Sequence, residues 1–150
     1  MAHTYTNILI HYVFSTKNRR SIITPEIQER LWPFMGGIMR ENGMVPVIVG
    51  GMADHVHILA SLPATLSISK GIQMIKGGSS RFVNETFPGG ERFQWQSGYG
   101  GFSVSISHRQ DTIAYIQNQA EHHRKRTFQE EFIAILKKHG IEYDDRYIWD

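Results

Sequence analysis

Polar and apolar residues alternate along positions 5–15, which is the first regular pattern in the chain. Even-numbered positions there are mostly β-branched or aromatic, among them Ile10, Tyr12 and Phe14, whereas His11 lies on the odd-numbered side. Successive side chains of a strand point to opposite faces, so this period of two predicts a β-strand with one buried face.

Further strands are predicted downstream. Residues 44–49 and 54–62 are rich in β-branched residues, and the Gly50-Gly51 pair between them predicts a turn that joins them as a hairpin. Another strand is predicted over residues 102–106, after a loop that is rich in glycine and aromatic residues.

Long helices are predicted between these strands. The segment 24–43 begins with Thr-Pro, repeats apolar residues at helical spacing, and ends with Asn-Gly, which are start and stop signals of a helix. The segment 66–87 also has a helical apolar period, and the Gly77-Gly78 pair predicts a bend inside it.

The last third of the chain predicts more helices. Ser107 with Gln110, and Thr127 with Glu130, have the spacing of capping boxes, in which both side chains satisfy free backbone amides at a helix start. The final helix is predicted to stop at Gly140, because glycine is the usual residue just beyond a helix end.

The predicted order of elements is β-α-β-β-α-β followed by two helices. This order predicts an α+β fold of the ferredoxin-like, split β-α-β type, with a four-stranded antiparallel sheet and C-terminal helices that carry Tyr115. The first and third strands would then be neighbours at the centre of the sheet. A site on the third strand would have a rigid support.

The composition limits the classes of protein and of site. With 150 residues, 41% of them hydrophobic, we expect a single domain over residues 1–150. The chain has no cysteine, which excludes disulfides, thiolate zinc sites and a cysteine nucleophile. Histidine, carboxylate, amide and water ligands favour Mg²⁺ or Mn²⁺ over Zn²⁺. No signal sequence or membrane-spanning stretch is apparent, so we expect a soluble, cytoplasmic protein.

The net charge of +2 is too small to indicate a nucleic-acid partner by itself. The basic residues are clustered, however, and each cluster can be either a solvated face or a phosphate-binding surface. The clusters are Lys17 with Arg19 and Arg20, Lys70 with Lys76 and Arg81, and Arg124 with Lys125 and Arg126.

The most informative pair of residues is His55 and His57, which flank Val56 in the third predicted strand. The strand period places both imidazoles on one face, close enough to share a divalent metal. The alternative is a pair of partly buried histidines held by hydrogen bonds, because each unpaired buried nitrogen would cost about 1 to 3 kcal/mol.

Tyr115 and Gln119 are one helical turn apart and share a face of their helix. Either residue alone is an ordinary helix residue, but Ile113 and Ile116 already supply apolar contacts and leave a polar edge. Tyrosine can attack a phosphate and become covalently linked to it, while a metal neutralises charge in the transition state. The residues together therefore indicate phosphoryl transfer from a DNA backbone to tyrosine.

These motifs resemble a known family. The chain is similar over nearly its whole length to the single-tyrosine HUH transposases of the insertion sequence 200/605 group, the IS200-like transposases. The matching stretches are residues 11–19 (HYVFSTKNR), 54–59 (DHVHIL), 76–80 (KGGSS) and 115–119 (YIQNQ), with 122–123 (HH) and 128–131 (FQEE) following.

The resemblance implies a DNA transposase that cuts single-stranded DNA next to imperfect hairpins at the ends of a mobile element. It implies that His55, His57 and Gln119 hold Mg²⁺ or Mn²⁺ and that Tyr115 attacks the phosphate. The products would be a 5′-phosphotyrosine link and a free 3′-hydroxyl, which later reverses the step on another strand.

The resemblance also implies a homodimer, in which the tyrosine helix of one subunit can complete the histidine site of the other. The glycine-rich residues 98–101 and the turn at residues 105–107 would have to permit that exchange. Without a dimer that brings helix and strand together, we expect His55 and His57 to have no nucleophile.

Other residues are candidates for contact with DNA or metal. Lys17, Arg19, Lys76 and Arg81 are candidate phosphate contacts. The pair His122-His123 follows Gln119 by one turn and could supply a further metal ligand, although cations that favour a helix C-terminus are the preferred interpretation.

Alternative functions remain open from the sequence. A host-retained, non-transposing protein could bind a nucleic-acid hairpin on the same scaffold without catalysis. A metal-dependent phosphoesterase of the two-histidine type would need a second His-x-Thr or His-x-Ser pair in the folded site, and the histidine pair occurs once.

Overall fold

The computed structural model describes residues 2–150 and contains a mixed α/β fold. Its strands are β1 (Ile8–Ser15), β2 (Val45–Met52), β3 (His55–Leu62) and β4 (Gly100–Val104). Its helices are α1 (Pro25–Glu41), α2 (Ile68–Thr86), α3 (Arg109–Gln117), α4 (Gln119–His123) and α5 (Phe128–Lys138). Within the described residues, every helix is too short or too polar to cross a membrane.

The strands form one four-stranded antiparallel sheet in the order β2-β3-β1-β4. This topology confirms the predicted ferredoxin-like arrangement, with the first and third strands as central neighbours. Tyr12, Phe14, Val56 and Ile58 lie in a core cluster shared with α1 and α2. The opposite face carries the histidine pair and is covered by α3, α4 and α5.

The hairpin between β2 and β3 differs from the prediction. Gly50 and Gly51 lie inside β2, paired with His57 and Val56, and the turn falls at Ala53 and Asp54. A two-residue loop is sufficient for an antiparallel hairpin, so the glycine pair is not needed for the turn. The prediction that residues 50–51 form the turn is therefore wrong.

The glycines of α2 also have a different role from the predicted one. The helix continues through Gly77 and Gly78 without interruption. A Cβ atom at Gly78 would lie 2.7 Å from Cδ1 of Ile38, so this glycine allows α1 and α2 to pack closely. Close packing against a neighbouring helix thus accounts for a glycine that sequence reasoning assigned to a bend.

The start of the tyrosine helix also corrects a prediction. A 3-10 turn, Ile106–His108, precedes α3, and no side-chain cap forms at its start, so the predicted Ser107 and Gln110 capping box is wrong. The hydroxyls of Ser105 and Ser107 instead lie 2.7 and 3.3 Å from Nδ1 of His108. The capping box of Thr127 and Glu130 is confirmed at the start of α5.

Helix α3 packs closely over β2, which fixes the position of the tyrosine. Ile116 on α3 is buried with Leu9 and Leu59 of the sheet. A Cβ atom at Gly50 would lie 2.9 Å from the carbonyl oxygen of Ile116 and 2.8 Å from its Cγ2. Because main chain cannot give way as a flexible side chain can, glycine at position 50 permits this approach.

Candidate active site

His55 and His57 lie on the same face of β3, as the strand period predicts, and both are fully buried. Their ring centroids are 5.2 Å apart. On this face they lie beneath α3, α4 and α5, whose polar side chains supply partners for the imidazole nitrogens. The histidines are therefore part of a buried polar cluster rather than of the apolar core on the other face.

The centre of the cluster is Glu131 of α5, a fully buried carboxylate. Its Oε1 lies 3.0 Å from Nε2 of His57 and 3.6 Å from Nε2 of His55. Its Oε2 accepts hydrogen bonds from the hydroxyl of Tyr115 and from Nε2 of Gln119, the latter at 3.2 Å. One carboxylate thus joins the histidine pair to the tyrosine and the glutamine.

Each nitrogen of His55 has a partner. Nε2 lies 2.8 Å from Oε1 of Gln119, and Nδ1 lies 2.7 Å from Oδ1 of Asp54. Gln119 is only 2% exposed, so its amide is a buried polar group that must be hydrogen-bonded. The partner on Nδ1 holds the ring so that Nε2 points towards α4 and α5.

His123 belongs to the same cluster. Its Nε2 lies 3.1 Å from Oε1 of Gln119 and 3.2 Å from Oε1 of Glu131, and its Nδ1 lies 3.0 Å from the carbonyl oxygen of Arg126. His122 instead stacks against Tyr115, with ring centroids 4.6 Å apart. The pair does lie at the end of α4, as the preferred interpretation expected. Both rings also contact residues of the site, which that interpretation did not include.

Sequence reasoning missed Glu131, although a signal for it was present. Phe128, Phe132 and Leu136 mark the buried face of α5. Glu131 is three residues after Phe128 and therefore lies on that buried face, whereas Glu130 caps the helix at the surface.

Burial and hydrogen bonding set the protonation states in the cluster. Burial raises the pKa of Glu131, but hydrogen bonds from His123, His57 and Tyr115 outweigh this effect and hold the pKa well below its usual value. Burial lowers the pKa of His57. Burial, with nearby His57, lowers the pKa of His11 to about 3. Burial also acts to lower the pKa of His123, but its hydrogen bond to Glu131 outweighs this effect and raises the pKa. The carboxylate of Glu131 thus lies between a neutral His57 and a His123 that is easier to protonate.

Burial and the carboxylate also act on Tyr115. Burial and the hydrogen bond to Glu131 raise the pKa of its hydroxyl well above the usual value. The same hydrogen bond keeps the hydroxyl beside a carboxylate oxygen that can accept its proton. The phenol therefore stays protonated at neutral pH and has a proton acceptor in contact.

The donor set fits a divalent metal ion. One ligand atom from each of His55, His57 and Glu131 lies within 4.8 Å of the others, and all three residues are buried. Oε1 of Gln119 adds an amide oxygen next to His55. Two imidazoles, a carboxylate and an amide oxygen suit Mn²⁺, Mg²⁺ or Zn²⁺ by ligand type.

The tyrosine helix completes the cluster within its own chain. The rings of Tyr115 and His57 have centroids 5.7 Å apart, and Gln119 is bonded to His55. The expectation that a second subunit is needed to bring the nucleophile to the histidines is therefore wrong for this structure. A break at Asn118 separates α3 from α4, but the side chains of Tyr115 and Gln119 both still reach Glu131.

A cleft of about 700 Å³ leads from the surface to Tyr115. It runs between β4, α3 and α5, and His11 also lines it. Arg126 and Lys138 line the cleft as well, with a single carboxylate, Asp111. Since the histidine pair itself is fully buried, this cleft is where Tyr115 can meet a ligand from outside.

The candidate phosphate contacts are in different environments. Lys17 and Arg81 are exposed, and Arg81 pairs with Glu85. Arg19 lies over the ring of Trp149 and donates to its carbonyl oxygen, so it holds the C-terminal segment. Nζ of Lys76 donates to carbonyl oxygens of the 96–98 loop, and burial lowers its pKa to about 8. Lys76 and Arg19 are thus engaged within the protein.

Comparison with known proteins identifies the family of the chain. The family model for "Transposase IS200 like" matches residues 4–119, which include β1 to α3 and Gln119. The chain is 27% identical over 116 residues to the ISDra2 transposase TnpA of Deinococcus radiodurans, covering 73% of this chain and 81% of the relative. It is 28% identical over 97 residues to the transposase for insertion sequence element IS200 of Salmonella typhimurium, covering 65% and 63%.

Known structures share the fold. A crystal structure described as a transposase from Deinococcus radiodurans superposes with a TM-score of 0.63 at 26% identity, covering 79% of this chain and 96% of that one. A REP-associated tyrosine transposase bound to a REP hairpin gives a TM-score of 0.61 at 16% identity, covering 82% and 73%, which shows a common fold. With the family model matched across all four strands and through the tyrosine helix, the chain belongs to the IS200-like transposases.

Proposed function

We propose that this protein cuts single-stranded DNA and transfers the cut strand through a covalent 5′-phosphotyrosine link at Tyr115. The observation that carries the proposal is the convergence of Tyr115 and Gln119 on the histidine pair, around one buried carboxylate. A nucleophile, its proton acceptor and a set of metal ligands are the parts that covalent phosphoryl transfer needs.

His55, His57, Gln119 and Glu131 would hold Mg²⁺ or Mn²⁺. The metal, when bound, supplies positive charge that polarises the scissile phosphate and offsets the negative charge of the transition state. The ligand set implied by the family resemblance, two histidines and a glutamine, is thus extended by the carboxylate of Glu131.

Residues of the chain carry out the proton transfer and the attack on phosphorus. The hydroxyl of Tyr115 gives its proton to Oε2 of Glu131 along the hydrogen bond that already joins them. As this proton leaves, the phenolic oxygen bonds to phosphorus and the bond from phosphorus to the 3′ oxygen breaks. The 3′ oxygen takes up a proton from solvent to become a 3′-hydroxyl, and Glu131 returns to solvent the proton that it received. Because the covalent link conserves the phosphodiester energy, rejoining needs no ATP.

The DNA strand would enter through the cleft that leads to Tyr115. Arg126 and Lys138 line this cleft and supply positive charge for the phosphates on either side of the cut. The REP-associated relative is bound to a hairpin, and we extend hairpin binding to this chain, with exposed Lys17 and Arg81 as phosphate contacts. Lys76 and Arg19 would contribute by holding the loops beside that surface.

Replacing Lys138 with alanine tests the cleft. Loss of one phosphate contact should weaken binding of a single-stranded oligonucleotide and lower the slope of log K against log salt by about 0.7. Lys137 is also exposed, at the same end of α5, but does not line the cleft, so Lys137→Ala is the matched control. Equal slopes for the two variants, measured by fluorescence anisotropy, would place the strand elsewhere.

The structure is compatible with a homodimer in which the subunits do not exchange their tyrosine helices. Because each chain brings its own Tyr115 to its own histidines, a dimer would contain two sites that are each complete within one subunit. Exchange of the tyrosine helix would then require movement of the 3-10 turn Ile106–His108 and loss of the contact between Ile116 and Gly50.

The proposal is tested by incubating the purified protein with single-stranded DNA that carries hairpin ends. With Mn²⁺ or Mg²⁺, we expect an adduct that survives denaturing electrophoresis and retains a label placed on the 3′ side of the cut. Chelation of the metal with EDTA should abolish the adduct. An oligonucleotide that is bound but never joined to the protein would instead indicate a non-catalytic hairpin binder.

A further inference from the structure

His11 of β1 is a buried histidine that the proposed reaction does not use. It is 8% exposed, and its Nε2 lies 2.8 Å from Nδ1 of His57. The two rings stack, with centroids 5.0 Å apart and planes 29° from parallel. The imidazole of His11 is therefore within hydrogen-bond distance of Nδ1 of His57, the nitrogen that faces away from Glu131.

The sheet register places this histidine beside the site. β1 and β3 are antiparallel central neighbours, and Val13 pairs with His57 while His11 pairs with Leu59. His11 is thus the diagonal neighbour of His57 on the same face, a spacing that long or aromatic side chains can bridge. The contact depends on two rigid central strands and not on a loop.

The two nitrogens of His57 have separate partners. Nε2 lies 3.0 Å from Glu131, on the side where the ligand atoms meet, and Nδ1 lies against His11. A neutral imidazole that binds a metal through Nε2 must carry its proton on Nδ1, and that proton needs an acceptor when it is buried. Nε2 of His11 is the only hydrogen-bond partner of Nδ1 in the described part of the chain.

We propose that His11 is a positioning residue, which orients His57 and accepts the Nδ1 proton when His57 binds a divalent metal. The inference rests on the proposed metal site of His55, His57, Gln119 and Glu131. Asp54 has the corresponding place on His55, 2.7 Å from its Nδ1, so both histidines have a partner behind the ring. A carboxylate thus orients one ligand and an imidazole the other.

The pair of rings also defines where protons go when the metal binds. Without metal, a neutral His57 would donate from Nε2 to the carboxylate of Glu131, which leaves its Nδ1 as the acceptor for Nε2–H of His11. If a metal bound Nε2 of His57, that nitrogen would release its proton to solvent, Nδ1 would take the proton from Nε2 of His11, and His11 would take one from solvent on its own Nδ1. Each ring keeps one proton in both states, so neither changes charge. His11 lines the solvent cleft, from which the proton can enter.

The test is the affinity for Mn²⁺ alone, measured by isothermal titration calorimetry without DNA. His11→Phe keeps an aromatic ring for stacking but removes the acceptor, and we expect it to weaken Mn²⁺ binding about 10- to 100-fold. His11→Gln, whose amide oxygen can accept the Nδ1 proton, should recover most of that loss. His139→Phe is the matched control, because His139 is an exposed histidine of the same cleft and stacks on Phe102.

The Zn²⁺-loaded unmodified protein gives a second readout that does not depend on a variant folding. Nitrogen-15 NMR of the imidazoles should show His57 protonated on Nδ1, and His11 protonated on Nδ1 with Nε2 as the acceptor. Unchanged Mn²⁺ affinity in His11→Phe, or the opposite tautomer of His11, would overturn the positioning role and leave the metal site intact. Failure of the unmodified protein to bind Mn²⁺ would remove the metal site as well.

Discussion

Replacing Tyr115 with phenylalanine is expected to abolish the covalent protein–DNA adduct, with a loss of at least about 10⁴-fold, since loss of a covalent nucleophile removes the step itself. The substitution removes one hydroxyl and keeps the ring that stacks on His122 and faces His57. Loss of the single hydrogen bond to Glu131 should change the free energy of unfolding by only about 1 kcal/mol.

The control for this substitution is Tyr147→Phe, because Tyr147 is 62% exposed and is not part of the buried cluster. It should form the adduct at the unmodified rate. Hairpin binding by Tyr115→Phe should also be unchanged, since the hydroxyl is proposed to act on the phosphate and not in recognition. An adduct that still forms with Tyr115→Phe would show that another residue is the nucleophile.

Mixing two inactive variants distinguishes sites within one subunit from shared sites. Tyr115→Phe lacks the nucleophile and His57→Ala lacks a ligand, so neither should cut alone. Because the structure joins both residues within one chain, we expect a mixture of the two proteins to remain inactive. Recovery of cleavage in the mixture would show that the tyrosine of one subunit acts at the histidines of the other.

Replacing Glu131 with alanine is expected to have the second largest effect, on folding as well as on cleavage. The fully buried carboxylate is bonded to His57, His123, Tyr115 and Gln119, which would all lose a partner. Removing one member of a buried ionic cluster costs about 3 to 5 kcal/mol, so the midpoint of urea unfolding should fall steeply.

Replacing Glu131 with glutamine removes the negative charge of the side chain but keeps its size and shape. It keeps the volume and one acceptor oxygen, so the loss of unfolding free energy should be smaller, about 1.5 to 3 kcal/mol. Mn²⁺ binding should still be lost, because the anionic ligand is gone. Glu130→Gln, which alters the neighbouring exposed cap, should change neither quantity. Unaltered Mn²⁺ affinity in Glu131→Gln would exclude Glu131 from the ligand set.

The topology could be predicted from the sequence because each strand and helix has its own hydrophobic period. The strand period also placed His55 and His57 on one face. Gly50 and Gly78 could not be interpreted locally, because their role is to allow close approach of α3 and of α1, which only the tertiary packing reveals. A glycine that admits a neighbouring backbone has the same local signature as a glycine in a turn.

The site shows a similar division. Histidine, tyrosine and glutamine formed recognisable motifs within short segments, but Glu131 joins them from a helix that follows by more than 70 residues in the chain from His57. Its helical position beside Phe128 and Phe132 indicated burial, yet nothing local indicated that its partner would be a histidine of β3. Likewise, His11 meets His57 only because β1 and β3 pair in one particular register.

The central claim is that Tyr115 becomes joined to a DNA phosphate in a metal-dependent reaction. The most direct measurement is mass spectrometry of the adduct formed with Mn²⁺ and a hairpin-bearing single strand, after digestion of the protein and of the DNA. We predict a peptide containing Tyr115 that carries a 5′-linked nucleotide phosphate, and no such peptide after EDTA treatment or with His57→Ala. A nucleotide attached to any other residue, or cleavage without attachment, would contradict the account.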